Sequence, residues 1–431
     1  MRIRYMLLHA YGMGGTIRTV INQANAMAAR GHDVELVSAV RRRDEPQFPI
    51  DPRVRLVPLT DQREQASGYR ARLAARRGRV VPPGEYKSDW FTRGVERAVA
   101  DYLAGVWDGV LVTTRPGLNL LAARYAPDGA IRVAQEHMNM ASHRPDVRAE
   151  IVRTYRTFDA VVVLTHGDRL EYERAVPGAR VLRIPNAVHE HGGVRPGPRG
   201  KVVLAAGRLT EQKGFDLLVP AFARVVAEHP DWQLRIFGTG PGEAGLRALI
   251  EELHLYNHVF LMGRTDRLDD ELAKASAFVL SSRFEGLPMV MIEAMSHGTP
   301  IVSFDCPTGP ADVLTDGVDG LLVPPGDVPA LADALARVIG DRALRERLGS
   351  AALAGAAPYT REAVTPQWEA LFEDLARRRR GAAGVSRAAR PGDPPAPGFR
   401  RPRRVDRAAA GGGRAPVPAA RRANRDPRHG G

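Results

Sequence analysis

Two cationic side chains, Arg208 and Lys213, lie five residues apart in the segment GRLTEQKG at 207–214. The segment follows a short apolar run at 202–206, which predicts a buried strand. Loops at the carboxyl ends of parallel strands are where open α/β sheets bind ligands. Because arginine engages phosphate oxygens as a fork and lysine as a point charge, this spacing indicates a diphosphate site. Two solvated surface charges are the alternative interpretation.

A second segment, SRFEGLP at 282–288, separates a predicted strand at 278–281 from a helix expected over 289–297. Pro288 suits the first helical turn, and Gly286 lets backbone approach a ligand near the helix N-terminus. Glu293 falls inside an apolar helix, so its carboxylate needs donors, and sugar hydroxyls are such donors. The alternatives are a salt bridge or a solvent-facing position for Glu293, and a helix-dipole interaction for Glu285.

A glycine pair, Gly14 and Gly15, precedes the first predicted helix. Bare backbone N–H groups at such a position can receive a phosphate. The loop lacks the Lys-Ser/Thr pair of a P-loop and the full GxGxxG spacing, so an NTPase or dehydrogenase is poorly supported. The alternative is a tight turn that needs glycine for positive φ.

The order and content of these segments resemble the retaining family 4 glycosyltransferases of the GT-B fold. The likeness rests first on Glu285 and Glu293, which have seven residues between them, and on the SRFEGLP and EAM sequences around them. It runs from about Arg2 to about Leu375. Further matching segments are GRL at 207–209, KG at 213–214, GTGP at 238–241, IPN at 184–186 and GMGG at 12–15.

The resemblance implies a role for each matching residue. Arg208 and Lys213 are expected to neutralise the leaving diphosphate, Glu285 to contact the transferred sugar, and His137 to lie beside that sugar. A lone histidine after a strand is often only a hydrogen-bonded structural residue. The donor-binding residues implied are Gly14, Gly15, Gly207, Gly286, Leu287, Pro288 and Glu293.

The activity implied by the resemblance is transfer of a hexose or N-acetylhexosamine from a nucleotide-sugar, with a UDP-sugar favoured. The expected acceptor is a glycan, a lipid-linked chain or a cell-envelope polymer, and no cofactor or metal is expected. Asp266, Asp269 and Asp270 occupy a polar turn and helix start, where capping explains them. The run His189-Glu190-His191 has metal-ligand spacing but lies in a predicted linker.

The predicted elements alternate between strands and helices throughout the body of the chain, which indicates an α/β fold. Thirteen short apolar runs predict two Rossmann-like doubly wound domains facing a cleft. The expected boundaries are an acceptor domain at 1–186, a linker and nucleotide-sugar-binding domain at 187–376, and a disordered basic tail at 377–431.

Charge is distributed unevenly along the 431 residues. The tail holds 16 arginines and three aspartates, whereas residues 1–186 hold 29 basic and 20 acidic side chains. Arginine clusters at 41–43 and within 63–79 are consistent with an acidic or lipid-linked acceptor and peripheral contact with an anionic membrane. An ordinary solvated surface is the alternative. The composition of the tail favours disorder because it has almost no large apolar side chains.

Other functions fit parts of the pattern. A nucleotide-sugar epimerase or phosphorylase on the same plan would process a donor without a separate acceptor. The basic tail alone suggests nucleic-acid binding, although no specific nucleic acid is expected. The single cysteine, Cys306, and the absence of a signal-like N-terminus favour a cytoplasmic protein, peripheral at most to the inner membrane face.

Overall fold

The computed structural model describes residues 1–64, 68–188 and 200–388, with side chains described as far as Gly381. All thirteen strands expected from the apolar runs are present, most within one or two residues of the expected bounds. The strands are β1 Arg2–Leu7, β2 Asp33–Ser38, β3 Arg55–Pro58, β4 Val110–Thr113, β5 Ile131–Gln135, β6 Ala160–Val163, β7 Val181–Arg183, β8 Val202–Ala206, β9 Gln233–Phe237, β10 Val259–Gly263, β11 Ala277–Leu280, β12 Ile301–Phe304 and β13 Gly320–Val323.

The α-helices connect these strands as crossovers and then extend past the last strand. They are α1 Gly15–Ala29, α2 Tyr69–Ala74, α3 Arg93–Ala104, α4 Pro116–Tyr125, α5 Pro145–Thr154, α6 His166–Ala175, α7 Phe215–Glu228, α8 Glu243–Glu252, α9 Leu268–Lys274, α10 Met289–Ser296, α11 Pro310–Val313, α12 Val328–Gly340, α13 Arg342–Gly355 and α14 Arg361–Ala388.

Two fully parallel sheets organise the described residues. The first has the order β3-β2-β1-β4-β5-β6-β7 and the second the order β10-β9-β8-β11-β12-β13. We call the first sheet with its helices the N-terminal lobe and the second the C-terminal lobe. Parallel strands need crossover helices on their faces, so both faces of each sheet are covered and most strand residues are apolar. Parallel pairing also brings the loops that follow the strands to one edge of each sheet.

The last helix, α14, packs on the N-terminal lobe, although the sequence analysis assigned residues up to 376 to the C-terminal domain. Its apolar residues Trp368 and Phe372 join the same buried cluster as Ile3 and Tyr5. At the helix surface, Glu369 binds His32 at 2.8 Å. The expected domain boundary is therefore wrong for this segment, because the pattern that predicts a helix does not say which lobe its apolar face will contact.

The same helix corrects the expected start of the tail. It continues through Arg377 without a break and ends at Ala388. Arg379 lies in this continuation and pairs with Asp159 of the N-terminal lobe at 2.8 Å. Arginines that were assigned to a disordered tail thus include at least one that attaches the helix to the lobe.

Candidate active site

Lys213 and Glu285, which are 72 residues apart in the chain, form an ion pair in the C-terminal lobe. The ammonium nitrogen of Lys213 donates to Oε1 of Glu285 at 2.6 Å. Ser282 donates its hydroxyl to the same oxygen at 2.6 Å. Glu285 is only 5% exposed, so its carboxylate is held by a cation and a hydroxyl within the fold. The structure therefore brings together two residues that the sequence analysis placed in different segments.

Close backbone packing explains why these two loops meet. Ser281 donates its hydroxyl to the carbonyl of Lys213 at 2.9 Å, and the backbone N–H of Arg283 donates to the carbonyl of Gln212 at 2.8 Å. Gly214 has φ of +62°, and a Cβ there would overlap the carbonyl oxygen of Ser281. Glycine is required at this position both for its backbone conformation and for the approach of the second loop.

Gly207 provides the surface on which the lysine stem lies. A Cβ added to Gly207 would be 3.1 Å from Cδ and Cε of Lys213. A side chain at this position would therefore press against the stem that carries the ammonium group. This contact gives the predicted donor-binding residue Gly207 a definite structural role beside the ion pair.

Arg208 lies at the mouth of a cavity of about 310 Å³ in the C-terminal lobe. Its side chain is exposed and makes no hydrogen bond or ion pair within the described part of the chain. The cavity is also lined by Ala206, Phe237, Gly238, Thr239, Arg264, Thr265, Leu268 and Val290. Apolar walls next to free cationic groups suit a flat base attached to a phosphate.

Glu293 lies on α10, one turn after the cavity-lining residue Val290. Glu293 is 8% exposed and is not among the residues that line the cavity. The helix α10 thus contributes Val290 to the cavity wall that Arg208 also lines, while Glu293 is buried one turn further along. The solvent-facing position that the sequence left open for Glu293 is wrong, since the residue is buried.

Arg18, in the first turns of α1, interacts electrostatically with acidic residues of the C-terminal lobe. Burial lowers the pKa of Arg18, and the negative charges of Glu293 and Asp269 oppose that shift. Sequence reasoning missed this residue and assigned only the glycines that precede it. A cation just after a glycine-rich turn was the available signal.

The glycine pair itself is open. A Cβ added to Gly15 would meet no atom within 4 Å, and one added to Gly14 would meet only Ile17 at 4.0 Å. Gly14 has an extended backbone with φ of 165°, and neither glycine has the positive φ of a strained turn. The alternative explanation of a turn that requires glycine is thus wrong, and the space beside α1 is available to a ligand.

His137 follows β5 at the edge of the N-terminal lobe that faces the C-terminal lobe. Both ring nitrogens are buried and have no hydrogen-bond partner among the described residues. Burial lowers the pKa of His137 to about 4, so its imidazole is neutral at neutral pH. A neutral imidazole can donate one hydrogen bond and accept another, as recognition of a hydroxyl requires.

Loops from the two lobes touch beside His137. A Cβ added to Gly286 would be 3.3 Å from the carbonyl oxygen of His137. Asn139 donates from Nδ2 to the carbonyl of Glu285 and to the hydroxyl of Thr308, both at 3.0 Å. Thr308 also donates to the Glu285 carbonyl and has a positive φ of 56°. The Glu285 loop is therefore held from both lobes.

Leu287 and Pro288 complete the turn before α10. Leu287 is 8% exposed, and Pro288 precedes Met289, the first helical residue, where the sequence analysis expected the helix to begin. A Cβ added to Gly309 would be 2.8 Å from Cδ of Pro288. These contacts fix the entry into α10 and hence the position of Glu293 one and a half turns along.

A buried polar network lies behind His137 in the N-terminal lobe. Asn119 donates from Nδ2 to Oε1 of Glu136 at 2.7 Å, and the Tyr155 hydroxyl donates to the same oxygen. Nε2 of His143 lies 3.7 Å from the other carboxyl oxygen. Burial raises the pKa of Glu136 to about 8, so the carboxyl is mostly protonated at neutral pH. Sequence reasoning passed over Glu136 because it adjoins the more conspicuous histidine.

No group of three or more potential metal ligands is gathered in residues 1–64, 68–188 and 200–388. Asp269 and Asp270 lie in the first turn of α9 without capping it: Asp270 pairs with Arg267 at 2.6 Å, and Asp269 lies 3.5 Å from His297. The expected capping role is therefore wrong for these two residues. The histidines and glutamate at 189–191 lie outside the described residues. Over the same described ranges, no helix has the length and apolar content needed to cross a membrane.

Comparisons with known proteins agree with this architecture. Residues 193–354 match the model of the family described as glycosyl transferases group 1. The chain is also 36% identical over 393 residues to the exopolysaccharide phosphotransferase of Streptomyces coelicolor, an alignment covering 88% of this chain and 41% of that protein. Residues 193–354 of the chain thus have the sequence pattern of the glycosyl transferases group 1 family. The predicted family is thereby confirmed.

Two further similarities concern enzymes of Staphylococcus aureus. The chain is 28% identical over 223 residues to poly(ribitol-phosphate) alpha-N-acetylglucosaminyltransferase, covering 52% of this chain and 45% of that protein. A solved structure of S. aureus TarM in complex with fondaparinux, alpha-GlcNAc-glycerol and UDP superposes with a TM-score of 0.70, covering 86% of this chain and 99% of that one. At 16% identity this likeness shows the fold, and it confirms the predicted GT-B architecture. The chain spans less than half of the two curated relatives named here.

Proposed function

We propose that this protein is a retaining glycosyltransferase that moves a hexose or N-acetylhexosamine from a nucleotide-sugar to a cell-envelope polymer or glycan. The Lys213–Glu285 ion pair beside the Arg208 cavity is the observation that carries the proposal. In this proposal Lys213 is the cation for a leaving diphosphate, and the adjacent carboxylate of Glu285 binds sugar hydroxyls. The names of similar proteins, which refer to exopolysaccharide and poly(ribitol-phosphate), support an envelope polymer as acceptor.

The chemistry follows from the charges that develop during transfer. The acceptor oxygen bonds to the anomeric carbon as the bond from that carbon to the diphosphate breaks, and the acceptor proton leaves with the diphosphate. Negative charge grows on the diphosphate, so Arg208 and Lys213 stabilise the transition state more than the ground state. An ammonium group has three N–H donors, so Lys213 can keep its bond to Glu285 while binding a phosphate oxygen.

Binding of the donor uses both lobes in this proposal. The base occupies the Arg208 cavity, the ribose hydroxyls bind Glu293, and the diphosphate lies between Lys213 and the open glycines of the N-terminal lobe. Arg18 interacts electrostatically with acidic residues of the C-terminal lobe and compensates their charge when a donor is absent. His137, neutral at neutral pH, recognises a hydroxyl of the transferred sugar rather than moving a proton.

A calorimetric screen of UDP, GDP, ADP and their common sugar conjugates tests the proposal. A ligand that binds only the folded protein raises its melting temperature, so thermal shifts give the first ranking. We expect a UDP-sugar to bind, and Arg208→Ala to weaken its binding with no change in the melting temperature of the free protein. Arg224, an exposed arginine on α7, supplies the matched control Arg224→Ala. Equal affinities in both variants and the wild type would contradict the assigned site.

A further inference from the structure

A cationic and aromatic cluster lies on the N-terminal lobe, outside the donor site. We define the Trp90 cluster as Trp90, Arg42, Arg43, Lys87 and His9. The Arg42 guanidinium carbon lies 3.9 Å from the ring centroid of Trp90, and the Lys87 ammonium nitrogen lies 4.1 Å from it. The ring thus holds two cations by cation–π contacts, whereas charged side chains on a solvated surface are usually not held in this way.

The charges of this cluster are not neutralised within the described part of the chain. Arg42 donates to the neutral amide oxygen of Gln62 at 3.0 Å, and Arg43 and Lys87 form no ion pair there. The nearby acids Asp44 and Asp61 are both engaged by Arg63, at 2.5 and 2.6 Å. Asp89 is close in sequence but forms no ion pair with Lys87 among those residues. Arg42, Arg43 and Lys87 are therefore left without an ion-pair partner among the described residues.

The pKa of His9 is affected by these three cations. Its ring packs edge-on against Trp90 with the centroids 5.7 Å apart. Burial lowers the pKa of His9 most, and the positive charges of Arg42, Arg43 and Lys87 lower it further, against a hydrogen bond to the Val40 carbonyl. Three cations therefore act together on one point, which is the condition for binding a single anionic group.

The loop that carries Lys87 is built to present it. Lys87 has a positive φ of 60°, which is unusual for a residue other than glycine, asparagine or aspartate. Glu85, two residues before Lys87, is buried and bound by Arg115 at 2.7 Å, and Ser88 donates to the Pro83 carbonyl at 2.9 Å. Such a conformation persists only when the surrounding structure holds it, and it occurs most often at functional sites.

The cluster adjoins the glycine loop of the cleft. A Cβ added to Gly12 would be 2.8 Å from Cδ2 of His9, so the imidazole packs directly on the loop that leads to Gly14 and Gly15. Arg42 follows β2, and His9 follows β1, so both lie at the carboxyl-end edge of the first sheet. A group bound here lies on the acceptor lobe, next to the loop that borders the donor.

We propose that the Trp90 cluster binds a phosphodiester group of the acceptor polymer, so that the acceptor is a phosphate-bearing chain. This inference rests on the proposed function, in which a polymer or glycan accepts the sugar. The arginine fork matches two phosphate oxygens and the lysine supplies a point charge, while the exposed ring of Tyr86 offers an apolar face to the carbon backbone of the chain. A neutral glycan would leave these cations without partners.

Binding of a glycerol-phosphate oligomer of defined length, measured by calorimetry without any donor, tests the inference. The test variant is Arg42→Gln with Lys87→Gln. The control is Arg97→Gln with Arg156→Gln, which removes two exposed charges elsewhere on the same lobe. We expect the test variant to lose on the order of 10-fold to 100-fold in affinity and the control to bind like the wild type. We also expect an uncharged glucan oligomer to bind neither protein measurably.

A measurement on the wild-type protein tests the same inference without depending on the folding of any variant. The oligomer should slow acylation of Lys87, followed by mass spectrometry, relative to acylation of Lys201. Absence of oligomer binding to the wild type, equal affinity in the test variant, or unprotected Lys87 would overturn the inference. Loss of binding to phosphatidylglycerol vesicles with unchanged oligomer affinity would also overturn it, in favour of a membrane contact. Because no donor is present, a failed nucleotide screen would refute the proposed function without deciding this test.

Discussion

Replacing Lys213 by alanine separates the structural from the catalytic role of the ion pair. In the free protein the Lys213 ammonium is bound to Glu285 at 2.6 Å, so the substitution removes a native contact as well as a ligand contact. The side chain of Lys213 is 18% exposed and that of Glu285 is 7% exposed. The carboxylate retains the hydroxyl of Ser282 when the lysine is gone.

The stability cost follows from this geometry. Breaking a fully buried pair costs about 3–5 kcal/mol, because the remaining charge is left without compensation. Here the lysine is partly solvated and one hydrogen bond to the carboxylate survives. We therefore expect Lys213→Ala to lower the free energy of unfolding by about 1–3 kcal/mol.

The catalytic cost is expected to be larger. If the ammonium group stabilises charge developing on the diphosphate, its loss should lower kcat on the order of 10² to 10³, similar to the loss of one preorganised donor to a transition state. Because the contact strengthens as charge develops, we expect the fall in kcat to exceed the change in KM for the donor.

Urea unfolding followed by circular dichroism, together with nucleotide release at saturating donor, provides the two readouts. Lys201→Ala is the matched control, since Lys201 pairs with Asp231 in the same lobe but both side chains are more than half exposed. We expect that control to change the free energy of unfolding by less than about 1 kcal/mol and to leave kcat unchanged. Turnover of Lys213→Ala within about threefold of wild type would refute the leaving-group role, whatever its stability.

Three further outcomes follow from the site. Burial raises the pKa of Glu136 to about 8, so its contribution to stability is complete below the pKa of the unfolded chain and is lost as pH rises through 8. The free energy of unfolding, measured in urea, should therefore fall between pH 5 and 8 in the wild type. In Glu136→Gln this fall should be smaller by up to a few kcal/mol. Because the pKa of His137 is about 4, its imidazole does not titrate between pH 5.5 and 8. The dependence of kcat on pH over this range should therefore have the same shape in the wild type and in His137→Gln. Gly214→Ala should destabilise the fold by about 1–3 kcal/mol, because it combines a positive φ with overlap on Ser281, whereas Gly15→Ala should melt like wild type and bind donor more weakly.

Local pattern was sufficient to place the strands and to select most of the candidate residues. Apolar runs between glycine-rich turns predict parallel strands because both faces of such strands are covered. Arg208, Lys213 and Glu285 were identifiable because charged residues directly after these strands lie at the ligand-binding edge. Arg18 was not identified, since its importance comes from the acids of the other lobe.

Pattern also misplaced the segments whose environment is set by distant contacts. The boundary at residue 376 failed because α14 carries an apolar stripe that fits either lobe, and only packing against Ile3 and Tyr5 decides the choice. For the glycine pair, the local sequence does not distinguish a phosphate-binding loop from a tight turn that needs positive φ. Backbone angles and open space beside Gly15 are properties of the folded loop, and they favour the ligand over the strained turn.

The amino-acid sequence by itself determined the alternation of strands and helices, the glycine-rich turns and the identity of the charged groups after each strand. These depend on hydrophobic periodicity and backbone freedom within a few residues. The tertiary structure decided that Lys213 meets Glu285 across 72 residues, that Asn139 holds the Glu285 loop from the other lobe, and that Lys87 and Arg42 share one indole ring. Such contacts join segments far apart in the chain, so they arise only when the parallel sheets bring their loops to a common edge.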